Sequence, residues 1–295
     1  MRRSRTPTSA FRDQPPAGSG NGRLAVGVLA MAPALAASYA QATIARRRFA
    51  TVSGARRALE DLGLTDLRDR VVDVAPLGTG KSNAVALVTL NDRSKLVLKK
   101  ALPFGTMMAW GARHFGANFI YAQDTTAIAR ITRESEALTF LGANGVDVPR
   151  LLAASPRNEL LALEFIAGDP AATTLYGPEG MSLACEVGAL FRRVHDVGAT
   201  LADGHPGNMI IERKTGHIVL FDLEFAEIAA ATPARRGFDL AYASVLLPTP
   251  AHVESMLSGY GPRTADDEAA AKTAEDHLRR FSQLLDMERA RWRPK

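Results

Sequence analysis

The sequence predicts an α+β fold of two lobes, a sheet-rich N-lobe followed by a helical C-lobe. Alternating apolar residues typical of strands dominate 71–168, and helical periodicity dominates from Met181 onward. The chain has 295 residues, of which 46% are hydrophobic and 23% charged, so it contains enough apolar material for a large core. No internal repeat is visible.

The predicted elements follow from local patterns. Helical periodicity over 55–64 precedes a strand, a turn at Pro76 to Ser82, and a second strand ending at Leu90. A third strand is expected over 94–102. The remaining predictions are a helix at Thr126–Ala143, a strand at Asn158–Gly168, a helix at Met181–Asp196, two short strands between Asp203 and Phe221, and helices from Phe238 to the end.

These elements divide the chain into four segments. Residues 1–23 are rich in Pro, Gly, Ser and Arg and predict a disordered basic arm. Residues 24–54 predict an Ala-rich helix that is a candidate membrane anchor. The N-lobe is expected at 55–168 and the C-lobe at 169–295. The role of the long segment 101–125, between a strand and a helix, stays open between a substrate lid and packing on the N-terminal helix.

Charge and cysteine content exclude several classes of protein. Residues 1–57 hold ten arginines and one acidic residue, so they carry a net charge of +9, and the rest of the chain carries −4. The folded part has no basic face for nucleic acid, and no nucleic-acid partner is expected. A single cysteine, Cys185, excludes an internal disulfide and a cysteine-based zinc site.

The uncharged segment Leu24–Ala45 is long enough to span a bilayer, but its insertion signal is borderline because it is rich in alanine. Three interpretations stay open. The segment is a membrane anchor, an Ala-rich helix packed on the domain, or a cleaved targeting peptide with Ala-Gln-Ala at 40–42.

Two glycine-bearing motifs bear on phosphate chemistry. Gly80-Lys81-Ser82 lacks the first glycine of a nucleotide P-loop, since Ala75 stands there, and a strand rather than a helix follows. Gly78 and Gly80 instead predict a turn between antiparallel strands that lies over phosphates, although an ordinary hairpin would look the same.

The strongest signal is the segment LADGHPGNMIIERKTGHIVLFDLEFAE. Asp203 and Asn208 are five residues apart in a loop, and two short strands deliver Asp222 fourteen residues after Asn208. Phosphoryl transfer uses such a set, with one carboxylate to orient and deprotonate a hydroxyl, and an amide oxygen and second carboxylate to hold magnesium.

DGHPGN followed by a strand pair and DLE resembles the catalytic and metal loops of the protein-kinase-like superfamily, particularly atypical RIO- and KEOPS-type kinases and aminoglycoside/choline phosphotransferases. The resemblance covers about 70–262. It implies a bilobal protein-kinase-like fold, ATP and Mg²⁺ as cofactors, Asp203 as the base or the group that orients the hydroxyl, and Asn208 and Asp222 as magnesium ligands. An ATP-dependent enzyme of this kind works in the cytoplasm, so an anchor at 24–45 would tether it to the inner face of a membrane.

The same resemblance assigns residues outside that loop. Lys99, rather than Lys100, is expected to clamp phosphate. Glu134, rather than Glu136, is expected to hold the Lys99 ammonium. LLALEFIAG resembles the adenine-binding hinge, in which Glu164 and Ile166 are the expected binding residues. His195 and Asp239 are expected to be structural. His205, inside the loop, is expected to hydrogen-bond the loop backbone, with contact to phosphate or substrate as the alternative.

Two departures from the family pattern keep alternatives open. Leu201 replaces a histidine that braces the metal loop, and Ala202 replaces glycine or arginine. The favoured function is an atypical Ser/Thr protein kinase acting on an unknown hydroxyl acceptor. The alternatives are a small-molecule kinase and a pseudokinase that binds nucleotide or a partner without catalysis.

Overall fold

The computed structural model describes residues 40–78, 82–102, 124–229, 231–280 and 282–293. The chain divides into Met1–Gln41 and Ala42–Lys295, and residues 40 and 41 of the first unit are helical. In the described ranges no helix is both long and apolar enough to cross a bilayer. Residues 24–39 lie outside those ranges, so the prediction of an anchor stays a prediction.

A five-stranded antiparallel sheet forms the N-terminal part of the second unit. Its strands, in the order β1-β2-β3-β5-β4 across the sheet, are β1 (Val71–Pro76), β2 (Asn83–Leu90), β3 (Lys95–Ala101), β4 (Leu151–Ser155) and β5 (Leu160–Glu164). β2 alternates between buried and half-buried residues over most of its length, as its period-2 pattern predicts.

Helices cover both faces of this sheet. One face packs on α1 (residues 42–49) and α2 (Val52–Asp61), with the single turn α3 (Thr65–Arg68) following, and shares a buried cluster with them. The other face packs on α4 (Ala127–Ala143), whose first turn is capped by Thr126 accepting a hydrogen bond from the Ala129 N–H. Alternate residues of β3 therefore face two different sets of helices.

The C-terminal part is mainly helical. A three-stranded sheet of β6 (Gly168–Pro170), β7 (Met209–Glu212) and β8 (Ile218–Leu220) lies among six helices in the described ranges. These helices are α5 (Ala171–Thr174), α6 (Gly180–Asp196), α7 (Pro233–Leu246), α8 (Pro250–Tyr260), α9 (Ala265–Arg279) and α10 (Ser282–Trp292).

Close packing of α6 on α8 depends on two glycines. A Cβ added to Gly188 would lie 1.8 Å from the main-chain oxygen of Met256, and one added to Gly259 would lie 1.9 Å from that of Cys185. Any side chain at either position would push the helices apart. The antiparallel sheet and the helical second half together confirm the predicted α+β class, with a sheet-rich part followed by a helical part.

Two element bounds differ from the sequence predictions. The strand predicted to run from Asn158 to Gly168 spans only Leu160–Glu164, and Gly168 begins β6 by pairing with Glu212 of β7. The backbone leaves the first sheet after Glu164 and joins the second. The helix predicted from Phe238 begins five residues earlier, because Thr232 caps it and Pro233 stands at its first position.

Candidate functional site

Lys99 of β3 lies at the centre of a buried cluster of charges. Its Nζ is 2.6 Å from Oε2 of Glu134 on α4, and it also contacts the carboxylate of Asp222, which follows β8. The side chain of Glu134 is 1% exposed and that of Asp222 is 33% exposed. The ammonium therefore joins the sheet, the helix and the loop after β8, and Asp222 is the partner that is open to solvent.

The neighbouring residues that competed for these roles lie elsewhere. Lys100 belongs to the opposite face of β3, and its Nζ donates to the main-chain oxygen of Asn158 at 2.9 Å. Glu136 is exposed on α4. The structure thus brings together Lys99 and Glu134, the pair that the sequence favoured.

The charges of the cluster shift one another's pKa values. Burial disfavours the Lys99 ammonium, but the carboxylates of Asp222, Glu134 and Glu224 outweigh burial and raise its pKa well above the ordinary value. Burial raises the pKa of Glu134 to about 7 against the opposing charge of Lys99. Burial also disfavours the charged form of Asp222, yet Lys99 lowers its pKa below the ordinary value.

A second buried ion pair adjoins this cluster, and the sequence did not reveal it. Nη1 of Arg130 lies 2.9 Å from Oε2 of Glu224, two residues after Asp222, and Oε2 also accepts a hydrogen bond of 3.0 Å from Nδ2 of Asn83. Arg130 is 0% and Glu224 is 3% exposed. The sequence held one signal for it. Arg130 and Glu134 are one helical turn apart on α4, so Arg130 lies on the same helix face as the predicted partner of Lys99.

The loop between α6 and β7 carries Asp203 and Asn208. Nδ2 of Asn208 donates to the main-chain oxygen of Asp203 at 3.0 Å, and the main-chain oxygen of Asn208 accepts from the Phe221 N–H at 3.0 Å. These bonds tie the loop to the residue before Asp222. Burial, together with the charges of Asp222 and Glu224, raises the pKa of Asp203 to about 8.

Asp239 of α7 braces the start of this loop. Its carboxylate is 0% exposed and accepts hydrogen bonds from the N–H groups of Leu201, at 2.7 Å, and Ala202, at 2.8 Å. Nε2 of His195 lies 3.1 Å from the same carboxylate, and Nδ1 lies 2.9 Å from the Tyr260 hydroxyl. Leu201 itself is 3% exposed and packs in the core, so the brace acts through main-chain groups and does not need a side chain at 201.

His205 organises the turn between Asp203 and Asn208. Its Nδ1 accepts a hydrogen bond from the Gly207 N–H at 3.0 Å, and its ring stacks on Trp292 of α10 with centroids 5.6 Å apart. Burial lowers the pKa of His205 to about 4. A Cβ on Gly207 would lie 2.7 Å from Cε1 of His205 and 2.9 Å from Cζ2 of Trp292, so glycine is required there.

Of the predicted nucleotide-binding residues other than Lys99, the structure describes Gly78, Glu164 and Ile166, whereas Gly80 lies outside the described residues. Gly78, two residues after the end of β1, has φ of +76°, a conformation that favours glycine. Glu164 ends β5, and its N–H donates to the Arg150 main-chain oxygen at 2.9 Å. Ile166 lies in the link from β5 to β6 that connects the two sheets. Binding of adenine by Glu164 and Ile166 stays a prediction.

The donor set fits a magnesium ion. Asp222 offers a carboxylate, and Asn208 offers its amide oxygen because its nitrogen donates to Asp203. Ligand oxygens of Glu134, Asp222 and Glu224 lie within 4.8 Å of one another. Lys99 and Arg130 lie among these three carboxylates, with Lys99 against Glu134 and Arg130 against Glu224.

Comparisons with known proteins give a distant structural likeness. No protein-family model matches the sequence, and no curated protein matches it. The Rio2 kinase of Chaetomium thermophilum, in a complex with ADP/Mg²⁺-phosphoaspartate, has a TM-score of 0.47 and 17% identity over 78% of this chain and 77% of its own. Another structure of that kinase has a TM-score of 0.47 and 16% identity over 78% of both chains.

The Rv3197 protein of Mycobacterium tuberculosis, solved with erythromycin, has a TM-score of 0.45 and 16% identity over 90% of this chain and 74% of its own. At such identities a likeness concerns the fold alone. The functional argument therefore depends on the geometry of this chain's own residues.

Proposed function

We propose that the protein is a magnesium-dependent phosphotransferase that moves the γ-phosphoryl group of ATP to a hydroxyl group. The observation that carries the proposal is the position of Lys99, which joins Glu134 of α4 to Asp222 while Asn208 ties the Asp203 loop to the residue before Asp222. Phosphoryl transfer depends mainly on positioning and on stabilising charge, and these groups provide both.

Each residue has a role that matches its surroundings. Lys99 would bind ATP phosphate oxygens, and Glu134 would hold its ammonium in place. Asp222 and Asn208 would hold magnesium, which when bound neutralises phosphate charge. Asp203 would orient the attacking hydroxyl and accept its proton.

The acceptor that we propose is a Ser or Thr hydroxyl of a protein, because the segments FDLAYASVLL and MLSGYG resemble the atypical protein kinases. A small-molecule hydroxyl is the alternative acceptor. A pseudokinase is disfavoured because Asp239 holds the main chain at Leu201 and Ala202, the two positions that depart from the family pattern.

The test is transfer of labelled phosphate from ATP by the full chain, beside Asp222→Asn and Asp203→Asn. Asp169→Asn is the matched control, because Asp169 is 68% exposed at its side chain. We expect transfer that requires magnesium, is lost in both site variants, and persists in the control. Incorporation into a protein mixture rather than a panel of small hydroxyl compounds would support the protein acceptor.

Other results would redirect the proposal. Binding of MgATP with no transfer to either class of acceptor would favour the pseudokinase. Absence of ATP binding by the wild-type protein would overturn the proposal itself.

A further inference from the structure

Arg130, Glu224 and Asn83 form a buried network that adjoins the Lys99 contacts and joins three elements. Nζ of Lys99 lies 3.8 Å from Oε2 of Glu224. Asn83 is the first residue of β2, Arg130 lies on α4, and Glu224 lies in the Asp222 loop. Every pair in the network is in contact. Arg130 donates to Oδ1 of Asn83 at 3.2 Å and to Glu224 at 2.9 Å, and Asn83 donates to Glu224 at 3.0 Å.

The guanidinium also contacts the main chain just before β2 and just after β3. It donates to the main-chain oxygen of Leu102, just after β3, at 3.0 Å and to that of Ser82, just before β2, at 3.4 Å. A planar group with five donors can hold several acceptors in one fixed geometry, which a lysine cannot do. Arg130 therefore fixes the ends of two neighbouring strands relative to Glu224.

A buried ion pair is a poor source of stability, because desolvation of both charges offsets their attraction. Apolar side chains of similar volume would fill the same space without that cost. The full burial of Arg130 and Glu224 at a junction of three elements favours a role in setting their relative positions.

Helix geometry links this network to the phosphate clamp. Arg130 and Glu134 are four residues apart on α4, so they lie on one face of the helix. Glu134 holds Lys99 while Arg130 holds Glu224, two residues from Asp222. A shift of α4 would disturb both sets of contacts together.

We propose that Arg130 and Glu224, bridged by Asn83, are positioning residues that keep the start of β2 and the Asp222 loop in register with α4. This inference deepens the proposed function and rests on it for its catalytic consequence. The positional consequence, a fixed start of β2 and a fixed Asp222 loop, can be measured without catalysis.

The test compares Arg130→Met with the double variant Arg130→Met/Glu224→Met. The single change leaves Glu224 buried without its partner, and we expect a lower melting temperature and lost turnover. The double change removes both charges, and we expect the melting temperature to recover. Turnover should nevertheless stay about 10-fold to 100-fold below wild type, with a raised KM for ATP, as is usual when supporting contacts around a metal site are removed.

Hydrogen exchange provides the readout that does not need turnover. We expect faster exchange at the amides of 82–85 and 221–225 in the double variant, and unchanged exchange in α6. Arg150→Met is the matched control, because the side chain of Arg150 is 73% exposed. Wild-type exchange and turnover are expected from this control.

The outcomes separate the two proposals. If the double variant recovers turnover and slow exchange along with its melting temperature, the network only fills space and the inference is wrong. If the wild-type protein has no turnover, the proposed function fails, and exchange alone then supports or overturns the positioning role.

Discussion

The two halves of the site are held in place by different forces. Around Lys99, charged side chains hold one another in a buried cluster, with Lys99 and Arg130 facing Glu134, Asp222 and Glu224. In the Asp203 loop, one buried carboxylate, Asp239, holds main-chain N–H groups, and aromatic rings pack on His205. The difference teaches that charge changes at Lys99 should mainly affect chemistry, whereas changes at Asp239 and His205, the groups that hold the loop, should mainly affect stability.

Both halves also hold a non-glycine residue in the left-handed backbone region. Asp222 has φ of 60° and Ala202 has φ of 59°. Such conformations cost free energy and persist where surrounding contacts impose them. The contact with Lys99 restrains the side chain of Asp222, and the bond to Asp239 restrains the N–H of Ala202.

The largest expected effect is on turnover when the charge of Lys99 is removed. Lys99→Met should lower phosphoryl transfer about 100-fold or more, because a preorganised cation at the phosphates is lost. Lys100→Met is the matched control, and its turnover should stay within about twofold of wild type because Lys100 lies on the other face of β3. Steady-state kinetics with MgATP measure both, and equal losses in the two variants would contradict the assignment.

The largest expected effect on stability lies at the other half of the site. Asp239→Asn replaces one acceptor oxygen by a donor, so at least one buried N–H of Leu201 or Ala202 loses its partner. We expect the free energy of unfolding to fall by about 3 kcal/mol. Asp196→Asn, at an exposed ion pair on α6, should change it by less than about 1 kcal/mol. Urea denaturation measures both, and similar losses would remove the contrast between the halves.

The pH dependence of stability tests the environment of His205. Its folded pKa of about 4 lies below the ordinary value of 6.5, so the unfolded chain binds the proton more readily between these values. Stability should therefore fall as the pH decreases from 6.5 to 4, by up to about 3 kcal/mol from this group. Denaturation at several pH values gives the free energy of unfolding of wild type and of His205→Gln. Over that range the wild-type value should fall more steeply with decreasing pH than that of the variant, and parallel pH profiles would contradict the prediction.

The smallest expected effect concerns backbone strain in the loop. Ala202→Gly relieves the left-handed conformation but adds chain entropy to the unfolded state, so a net gain of about 0.5 kcal/mol is expected. Ala189→Gly, inside helix α6, should instead cost about 1 kcal/mol. Thermal unfolding of the two variants should shift in opposite directions. A loss of stability in Ala202→Gly would show that the strain is not localised there.

The fold class could be predicted from local patterns, but element ends could not always be placed. The alternation in β2 and the helical period in α4 depend on neighbouring residues, which the sequence lists directly. The end of β5 depends on where the chain leaves one sheet for another. Gly168 pairs with β7, a strand about forty residues later, so nothing local marks the change.

Some residues of the candidate site could be predicted from the sequence, and others could not. Asp203, Asn208 and Asp222 stand out because their spacing in a loop and two short strands suits magnesium and phosphate chemistry. Arg130 and Glu224 do not stand out, because a charged residue on an amphipathic helix or after a strand is usually solvated. Their complete burial became apparent only in the packed structure.

The sequence by itself determined the order of strands and helices, the loop that carries the candidate chemistry, and the opposite orientation of Lys99 and Lys100 on one strand. Tertiary structure decided which face of β3 meets α4, and hence that Lys99 rather than Lys100 contacts Glu134. The physical reason is the sequence separation between the residues that interact. Backbone periodicity depends on adjacent residues, whereas burial, ion pairing and side-chain hydrogen bonding depend on residues far apart in sequence, such as Asn83 and Glu224, whose hydrogen bond joins positions 141 residues apart.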